Sequence, residues 1–140
     1  MIAFLKNFFG RKDEPEHLRR GRIGETVAKR HLVAAGLKFL TANFKTKDSE
    51  IDLVFREDEC LVFVEVKARS EGGWTRPAAA VNQSKRALLS KAAAEYVRKL
   101  PDSNVKFRFD IVEVLLVDGE VSEVRHIPNA FPLTKAKRRA

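Results

Sequence analysis

The chain has 140 residues, 44% of them hydrophobic and 33% charged, a balance that predicts one soluble globular domain and requires no second one. Its single cysteine, Cys60, excludes an intramolecular disulfide and fits a reducing cytoplasm, and its three scattered histidines give no indication of a zinc site. The net charge of +8 is uneven, because residues 67–108 hold ten basic and three acidic side chains and residues 135–139 hold four basic ones. Basic surface suits a polyanion such as a nucleic acid, although a solvated helix face, taken alone, is the commoner explanation of the central segment.

The first segment, residues 1–16, is predicted either to be mobile or to dock on a partner or a membrane surface. Its apolar residues Phe4, Leu5, Phe8 and Phe9 are spaced for a short amphipathic helix, whereas the charge-rich stretch that follows is typical of a mobile terminus. The longest apolar run here is too short for a signal peptide or a membrane span. We therefore expect a cytoplasmic protein with no integral membrane segment.

The next segment, residues 21–35, is predicted to be a helix that ends at Gly36. Glu25 lies at the edge of its apolar stripe and not on the solvent side, although a glutamate in the first turn is also favoured by the helix dipole. Leu37–Leu40 and Phe44 then indicate an edge strand. The apolar stripe comprises Ile23, Val27, Ala28, His31, Leu32 and Ala35.

Two apolar runs, Ile51–Phe55 and Leu61–Val66, are joined by a short polar segment and predict a β-hairpin. A hairpin that is symmetric about this segment puts Asp52 directly opposite Glu65, and Lys67 shares the sheet face of Glu65 because strand side chains alternate. The second strand is apolar on both faces, as expected of a central strand, so charged side chains within it require a partner.

This acidic pair has two interpretations. A structural ion pair with Lys67 accounts for one carboxylate but leaves the second facing a like charge. A shared metal ion neutralises both carboxylates, and we favour it on this geometry. The sequence therefore predicts a metal site at Asp52 and Glu65.

After the hairpin come a glycine-containing loop and a second helix. Trp74 in the loop is a candidate for base stacking, although packing against the adjacent helix is the commoner role of a loop tryptophan. The helix is predicted to begin at Pro77 or Asn82 and to end at Leu100. Lys85 falls within its apolar stripe near the N-terminus, where a cation opposes the helix dipole. Its ammonium is predicted either to point into the acidic cluster or to reach outward to water.

The last elements are two strands joined by an Asp-Gly turn, over residues 105–117 and 120–126. The element order is therefore αβββαββ, which predicts an α/β fold with a mixed central β-sheet flanked by α-helices. The domain is predicted to cover residues 17–133 and to be followed by a basic tail, residues 134–140.

Five short motifs stand in a characteristic order: Gly21-x-x-x-Glu25, Glu50-Ile51-Asp52-Leu53, Phe63-Val64-Glu65-Val66-Lys67, Arg108-Phe109-Asp110-Ile111-Val112 and Asn129-Ala130-Phe131. In this order and spacing they resemble the YraN family of uncharacterised bacterial proteins. That family is similar to the restriction-endonuclease-like superfamily and to archaeal Holliday-junction resolvases. The resemblance covers nearly the whole chain beyond its first sixteen residues and implies a restriction-endonuclease-like fold.

The resemblance also implies a metal-dependent nuclease. Asp52, Glu65 and Lys67 stand where the superfamily carries its aspartate followed by Glu-x-Lys, and Glu25 stands where many members place a further helix carboxylate. Mg²⁺ or Mn²⁺ is then expected on Asp52, Glu65 and the Val66 backbone carbonyl, because these are hard oxygen donors. Glu25 would bind a second metal or a metal-bound water. Lys67 would hold the attacking water or stabilise the pentavalent charge.

Nucleic acid, and DNA in the first place, is the expected partner. Arg69, Lys85 and Arg86 are expected to hold the phosphate backbone, and Trp74 to contact a base. The alternative is a non-catalytic nucleic-acid-binding module of the same fold, but a pure binder gains nothing from two carboxylates that face its polyanion. The sequence leaves open whether branched or junction DNA is the substrate and whether a homodimer is required.

Overall fold

The computed structural model describes residues 14–70 and 81–133, and the predicted N-terminal segment, Trp74 and the basic tail lie wholly or largely outside these ranges. The described residues form one mixed sheet of five strands with a helix on each face, and this αβββαββ arrangement is consistent with the predicted restriction-endonuclease-like fold. The elements are α1 Glu16–Ala34, β1 Lys38–Lys45, β2 Glu50–Glu57, β3 Cys60–Ser70, α2 Gln83–Arg98, β4 Lys106–Val117 and β5 Glu120–Phe131.

The strands lie side by side in their chain order, so β3 is the middle strand of the sheet. The β3–β4 pair is parallel and is connected through α2, whereas the other three pairs are antiparallel. Alternate residues of β3 are buried against opposite helices: Phe63 packs in the cluster that contains Leu89 of α2, and Val62 packs in the cluster that contains Leu32 of α1. The continuous apolar run of β3 is thus explained by burial on both faces, as predicted.

Helix α1 begins at Glu16, earlier than the predicted start near Gly21. The carbonyl of Pro15 accepts the N–H groups of Leu18 and Arg19, so the first turn is already closed before the glycine. The buried side is narrower than predicted and comprises Ile23, Gly24, Ala28 and Leu32. His31 and Ala35, which were expected in the stripe, are exposed because they lie beyond the edge at which the helix meets the sheet.

Helix α1 approaches the central strand closely at Gly24. A Cβ at this position would lie 3.0 Å from the Cβ of Ala68 and 3.4 Å from Cγ1 of Val66. The absence of a side chain therefore lets α1 lie directly on β3, and it brings the next residue, Glu25, to the carboxylate-bearing part of that strand.

Strand β5 continues to Phe131, beyond the predicted end at His126, and a register shift interrupts its pairing with β4 between Phe109 and Ile111. Asn129 has a φ of +50° and lies within this irregular part of β5. The conformation is tolerated because β5 is an edge strand, which also contains a proline. The fully buried carboxylate of Asp110 accepts the Asn129 N–H at 2.9 Å and bonds Arg108 Nε at 3.0 Å and His126 Nε2 at 2.7 Å. The motifs at residues 108–112 and 129–131 thus hold the two strands together.

Candidate active site

The acidic pair is set by the register of the β2–β3 hairpin. Glu57 pairs with Cys60 and Leu53 pairs with Val64, and one residue beyond this ladder Asp52 lies close enough to Glu65 for the charge of Glu65 to raise its pKa. This is the register predicted from a hairpin symmetric about its polar turn. The hairpin thus brings two carboxylates to the middle of the sheet.

Side-chain alternation along β2 is interrupted at Asp52. Ile51 packs in the cluster on the α2 side and Leu53 in the cluster on the α1 side, although they are two residues apart. The facing strand contains Asn43 in the left-handed region at a φ of 54°. Within this irregularity the Val66 N–H donates to Asp52 Oδ2 at 2.8 Å. The Val66 carbonyl faces the same side, because the N–H and C=O of one strand residue point the same way.

Glu65 is 5% exposed and contacts two lysines through a single oxygen. Its Oε1 lies 2.5 Å from Lys85 Nζ and 3.3 Å from Lys67 Nζ. Lys67 comes from the same strand face, whereas Lys85 comes from the first turn of α2, where its N–H donates to the side chain of the N-cap residue Asn82. The structure therefore directs Lys85 into the acidic cluster, the first of the two predicted orientations.

The carboxylates nevertheless remain short of positive charge. Burial, followed by the negative charge of Glu65, raises the pKa of Asp52 to about 8, against the smaller effects of the Val66 N–H and of Lys85. Burial also raises the pKa of Glu25, helped by the charges of Glu50 and Glu65. Each of these carboxyl groups would gain from a further cation in the cluster.

The two lysines respond to this environment in opposite directions. Burial and the neighbouring Lys85 lower the pKa of Lys67. Burial alone would lower the pKa of Lys85 as well, but its contact with Glu65 and the negative charges of Glu65 and Asp52 outweigh burial and raise it. Lys85 is thus the more firmly charged ammonium, and Lys67 is the one that gives up its proton more readily.

These groups open into a cleft of about 630 Å³ between α1, the starts of β2 and α2, and β3. Five acidic side chains line it, and Lys85 is the one basic side chain among the cleft-lining residues in the described ranges. Two of the acids, Asp48 and Glu50, were not singled out as site residues from the sequence. Glu50 was visible only as part of a motif, and Asp48 as part of a connecting segment. The five acids are Glu25, Asp48, Glu50, Asp52 and Glu65.

Arg69 and Arg86 do not line this cleft within the described part of the chain. Arg86 Nε donates to the Val81 carbonyl at 2.9 Å and its guanidinium lies over the ring of Phe131, 5.3 Å from the centroid. Arg69 Nε is buried and has no hydrogen-bond partner among residues 14–70 and 81–133. Their contacts to phosphate, like base stacking by Trp74, stay predictions.

Glu113 is a buried acid that the sequence reasoning did not mark. It is fully buried, and neither carboxylate oxygen has a hydrogen-bond partner in the described part of the chain. It lies beside Lys67 in the β3–β4 ladder and beside Arg125 in the β4–β5 ladder. Burial raises its pKa, partly offset by Arg125 and Arg69. A glutamate inside the apolar run of β4 was the available signal.

The donors suit a hard divalent cation that keeps much of its water. No three His, Cys, Asp or Glu side chains in the described ranges converge as a complete metal shell. Asp52 and Glu65 supply two carboxylates, and Mg²⁺ typically binds through one or two carboxylates and retains several waters. The residues present therefore fit Mg²⁺ or Mn²⁺, with the Val66 carbonyl as a further oxygen donor, and do not fit a soft metal.

Comparison with known proteins places these residues in a family context. The family model described as "Uncharacterised protein family UPF0102" matches residues 24–114, which include Glu25, Asp52, Glu65, Lys67 and Lys85. A UPF0102 protein of Trichlorobacter lovleyi is 39% identical over 114 residues, 81% of this chain and 90% of that protein. Another, of Porphyromonas gingivalis, is 40% identical over 119 residues, 84% of this chain and 87% of its own. A third, of Rhodococcus opacus, is 35% identical over 115 residues, 82% and 98% of the two chains.

No helix in the described ranges is long and apolar enough to cross a membrane.

Proposed function

The chain belongs to the UPF0102 family, which is the YraN family indicated by its motifs, and we propose that it is a metal-dependent nuclease that hydrolyses phosphodiester bonds in DNA. One observation carries the proposal: Asp52 and Glu65 lie together in an open cleft that five acidic side chains line, whereas only two lysines, Lys67 and Lys85, contact Glu65. A structural ion pair needs one carboxylate and one lysine. The excess of carboxylates that line the cleft is instead suited to a cation that enters with a polyanion.

Each side chain then has a defined task. Asp52, Glu65 and the Val66 carbonyl would hold Mg²⁺ or Mn²⁺, which supplies a Lewis acid for the phosphodiester and acidifies a water molecule. Lys67, which contacts Glu65, holds the attacking water or stabilises the negative charge that develops on the pentavalent phosphorus. Glu25 positions a further water from the α1 side of the cleft.

DNA with branches or junctions is the first substrate class to test, because the motifs resemble those of junction resolvases. The second candidate function is a nucleic-acid-binding module that does not cut. The contact of Lys85 with Glu65 favours this alternative, because it partly neutralises that carboxylate without a metal. The two functions differ in whether Asp52 is needed for more than the fold.

The proposal is tested by incubating the pure protein with Mn²⁺ and a panel of linear, nicked and junction DNAs. Asp52→Asn and Glu65→Gln keep the side-chain shapes and should reduce cleavage by about a hundredfold or more, as expected when a group acting on the transition state is removed. Asp48→Asn is the matched control, because Asp48 lines the same cleft but pairs with Lys91 at its rim, and it should change the rate only a few-fold. Cleavage by Asp52→Asn at the wild-type rate would assign the activity to another site or to a contaminant.

A further inference from the structure

The contact between Lys85 and Glu65 indicates how the cleft handles metal and nucleic acid together. We propose that Lys85 is an exchangeable counter-cation: its ammonium neutralises Glu65 in the metal-free protein, and it transfers to a substrate phosphate when a divalent cation binds. This inference rests on the proposed function, since it assumes that Glu65 receives a metal. It makes metal binding and nucleic-acid binding mutually dependent.

The two lysines share one oxygen of Glu65. Lys67 and Lys85 both place Nζ on Oε1 of Glu65, at 3.3 and 2.5 Å. A divalent cation on Glu65 adds two positive charges within a few ångströms of both ammonium groups, in a partly buried site where water screens little. The repulsion disfavours keeping both lysines in place.

Lys85 is the lysine that leaves Glu65. The side chain of Lys67 is 18% exposed and projects from the central strand, whereas that of Lys85 is 40% exposed and lines the cleft. Lys85 also lies in the first turn of α2, where the helix dipole disfavours a cation, so Glu65 is the principal group that holds it there. Once Glu65 is occupied by a metal, Lys85 is free to turn towards solvent in the cleft.

The Lys85 ammonium moves to a phosphate of the substrate. Acidic side chains line the cleft, and Lys85 is the one basic group among the lining residues that the structure describes. A phosphate diester that enters this cleft needs positive charge beyond that of the metal, and the freed ammonium lies on a flexible stem at the entrance. By linkage, a metal that releases Lys85 for phosphate strengthens nucleic-acid binding, and nucleic acid strengthens metal binding by the same factor.

The test compares Mn²⁺ affinity, measured calorimetrically without nucleic acid, in the full-length wild type and in charge variants. Lys85→Met keeps the stem and removes the competing charge, so it should bind Mn²⁺ about tenfold more tightly, within the usual range of coupling between sites. Lys85→Gln provides a second neutral variant should Lys85→Met fold poorly. Lys85→Arg keeps the charge and should bind as the wild type does. Lys91→Met is the matched control, because Lys91 lies on the same helix and pairs with Asp48 at the cleft rim.

A second measurement follows the transfer to phosphate. Binding of a short DNA duplex is measured with and without Ca²⁺, which takes the same oxygen ligands in a looser geometry and replaces Mn²⁺ to limit cleavage. Ca²⁺ should strengthen DNA binding by about tenfold in the wild type and in Lys91→Met, and by much less in Lys85→Met.

The outcomes separate the two proposals. Equal Mn²⁺ affinity in the wild type and in both neutral variants would overturn the exchange and leave the nuclease proposal standing. Tighter binding by Lys85→Arg, equal to that of Lys85→Met, would also overturn it, because charge would then not be the cause. Absence of Mn²⁺ binding in every protein, with or without DNA, would contradict the proposed function itself and the exchange with it.

Discussion

At the scale of single residues, Asp52 shows most directly how the metal-free site lowers the free energy of unfolding. Its pKa is raised to about 8, so the folded protein binds a proton at Asp52 that the unfolded chain releases near pH 3.8. The stability that comes from the neutral carboxyl is fully present below pH 3.8 and is lost as the pH rises to about 8. The free energy of unfolding of the wild type should therefore fall across this window, by up to about 1.4 kcal/mol per pH unit from this group.

Asp52→Asn removes this titration and keeps the shape of the side chain. In urea unfolding at several pH values, it should be more stable than the wild type at pH 8, and the difference should shrink towards pH 4. Added Mn²⁺ should stabilise the wild type at pH 8 and not the variant, by mass action on the folded state. Parallel pH profiles for the two proteins would show that Asp52 is already balanced by partners in the fold.

Residue positions were predictable from the sequence where local pattern decides them. The opposition of Asp52 and Glu65 follows from a hairpin whose apolar runs are symmetric about a short turn. The apolar stripe marked Lys85 but left two orientations open, and the contact with Glu65 decides between them. The contact of Arg86 with Phe131 joins α2 to the far end of β5, and no local pattern contains it. Glu113 was visible as a glutamate inside the apolar run of β4, but its full burial without a hydrogen-bond partner in the described ranges depends on neighbours distant in the chain.

At the scale of elements, the approach of α1 to β3 depends on the side chain that Gly24 lacks. Gly24→Ala would place its Cβ 3.0 Å from the Cβ of Ala68, an atom fixed to the backbone that cannot rotate away. The helix must then shift outward, and overpacking of this kind costs about 1–3 kcal/mol, more than the roughly 1 kcal/mol that alanine gains in helix propensity. The variant should be destabilised in urea unfolding and should cleave more slowly, because Glu25 moves with the helix.

Gly21→Ala is the matched control on the same helix. A Cβ at Gly21 meets nothing within 4 Å, so alanine should stabilise the protein by up to about 1 kcal/mol and leave cleavage unchanged. Equal stabilisation by both alanines would mean that α1 does not need its close contact with β3.

The β4–β5 pair depends in a similar way on Asp110. Burial would raise the pKa of Asp110, but hydrogen bonds from His126, Arg108 and the Asn129 N–H outweigh it and lower the pKa. Asp110→Ala leaves these donors without their carboxylate and should cost about 3–5 kcal/mol in urea unfolding. Glu57→Gln removes only the exposed partner of Arg108 and should cost less than about 1 kcal/mol. A small loss in Asp110→Ala would show that Arg108 and His126 find other partners.

At the scale of the whole molecule, the order of elements and the helix on each sheet face were predictable, because periodicity of two and of 3.6 residues alternates clearly along the chain. The positions of irregular backbone were not predictable. Asn43, opposite the interrupted alternation at Asp52, and Asn129, within the register shift of β5, both have a positive φ. A pattern of apolar and polar residues does not reveal such backbone conformations. The sequence could therefore predict which acids face each other but not how the backbone opens between them.

The distribution of charge over the whole chain gives the last prediction. Acidic side chains line the cleft, whereas basic residues are concentrated in residues 67–108 and at the two ends of the chain. If the central segment binds the DNA backbone, the affinity should fall steeply with salt, with a log–log slope of roughly −0.9 per phosphate contact. Arg69→Gln, near the end of the central strand, should then reduce the steepness of that slope by about one contact in fluorescence-anisotropy titrations. Replacing Lys135, Lys137, Arg138 and Arg139 with glutamine is the comparison, and it should leave the cleavage rate at saturating DNA unchanged. A slope that is insensitive to Arg69 and flattened by the tail substitutions would move the DNA-binding surface to the end of the chain.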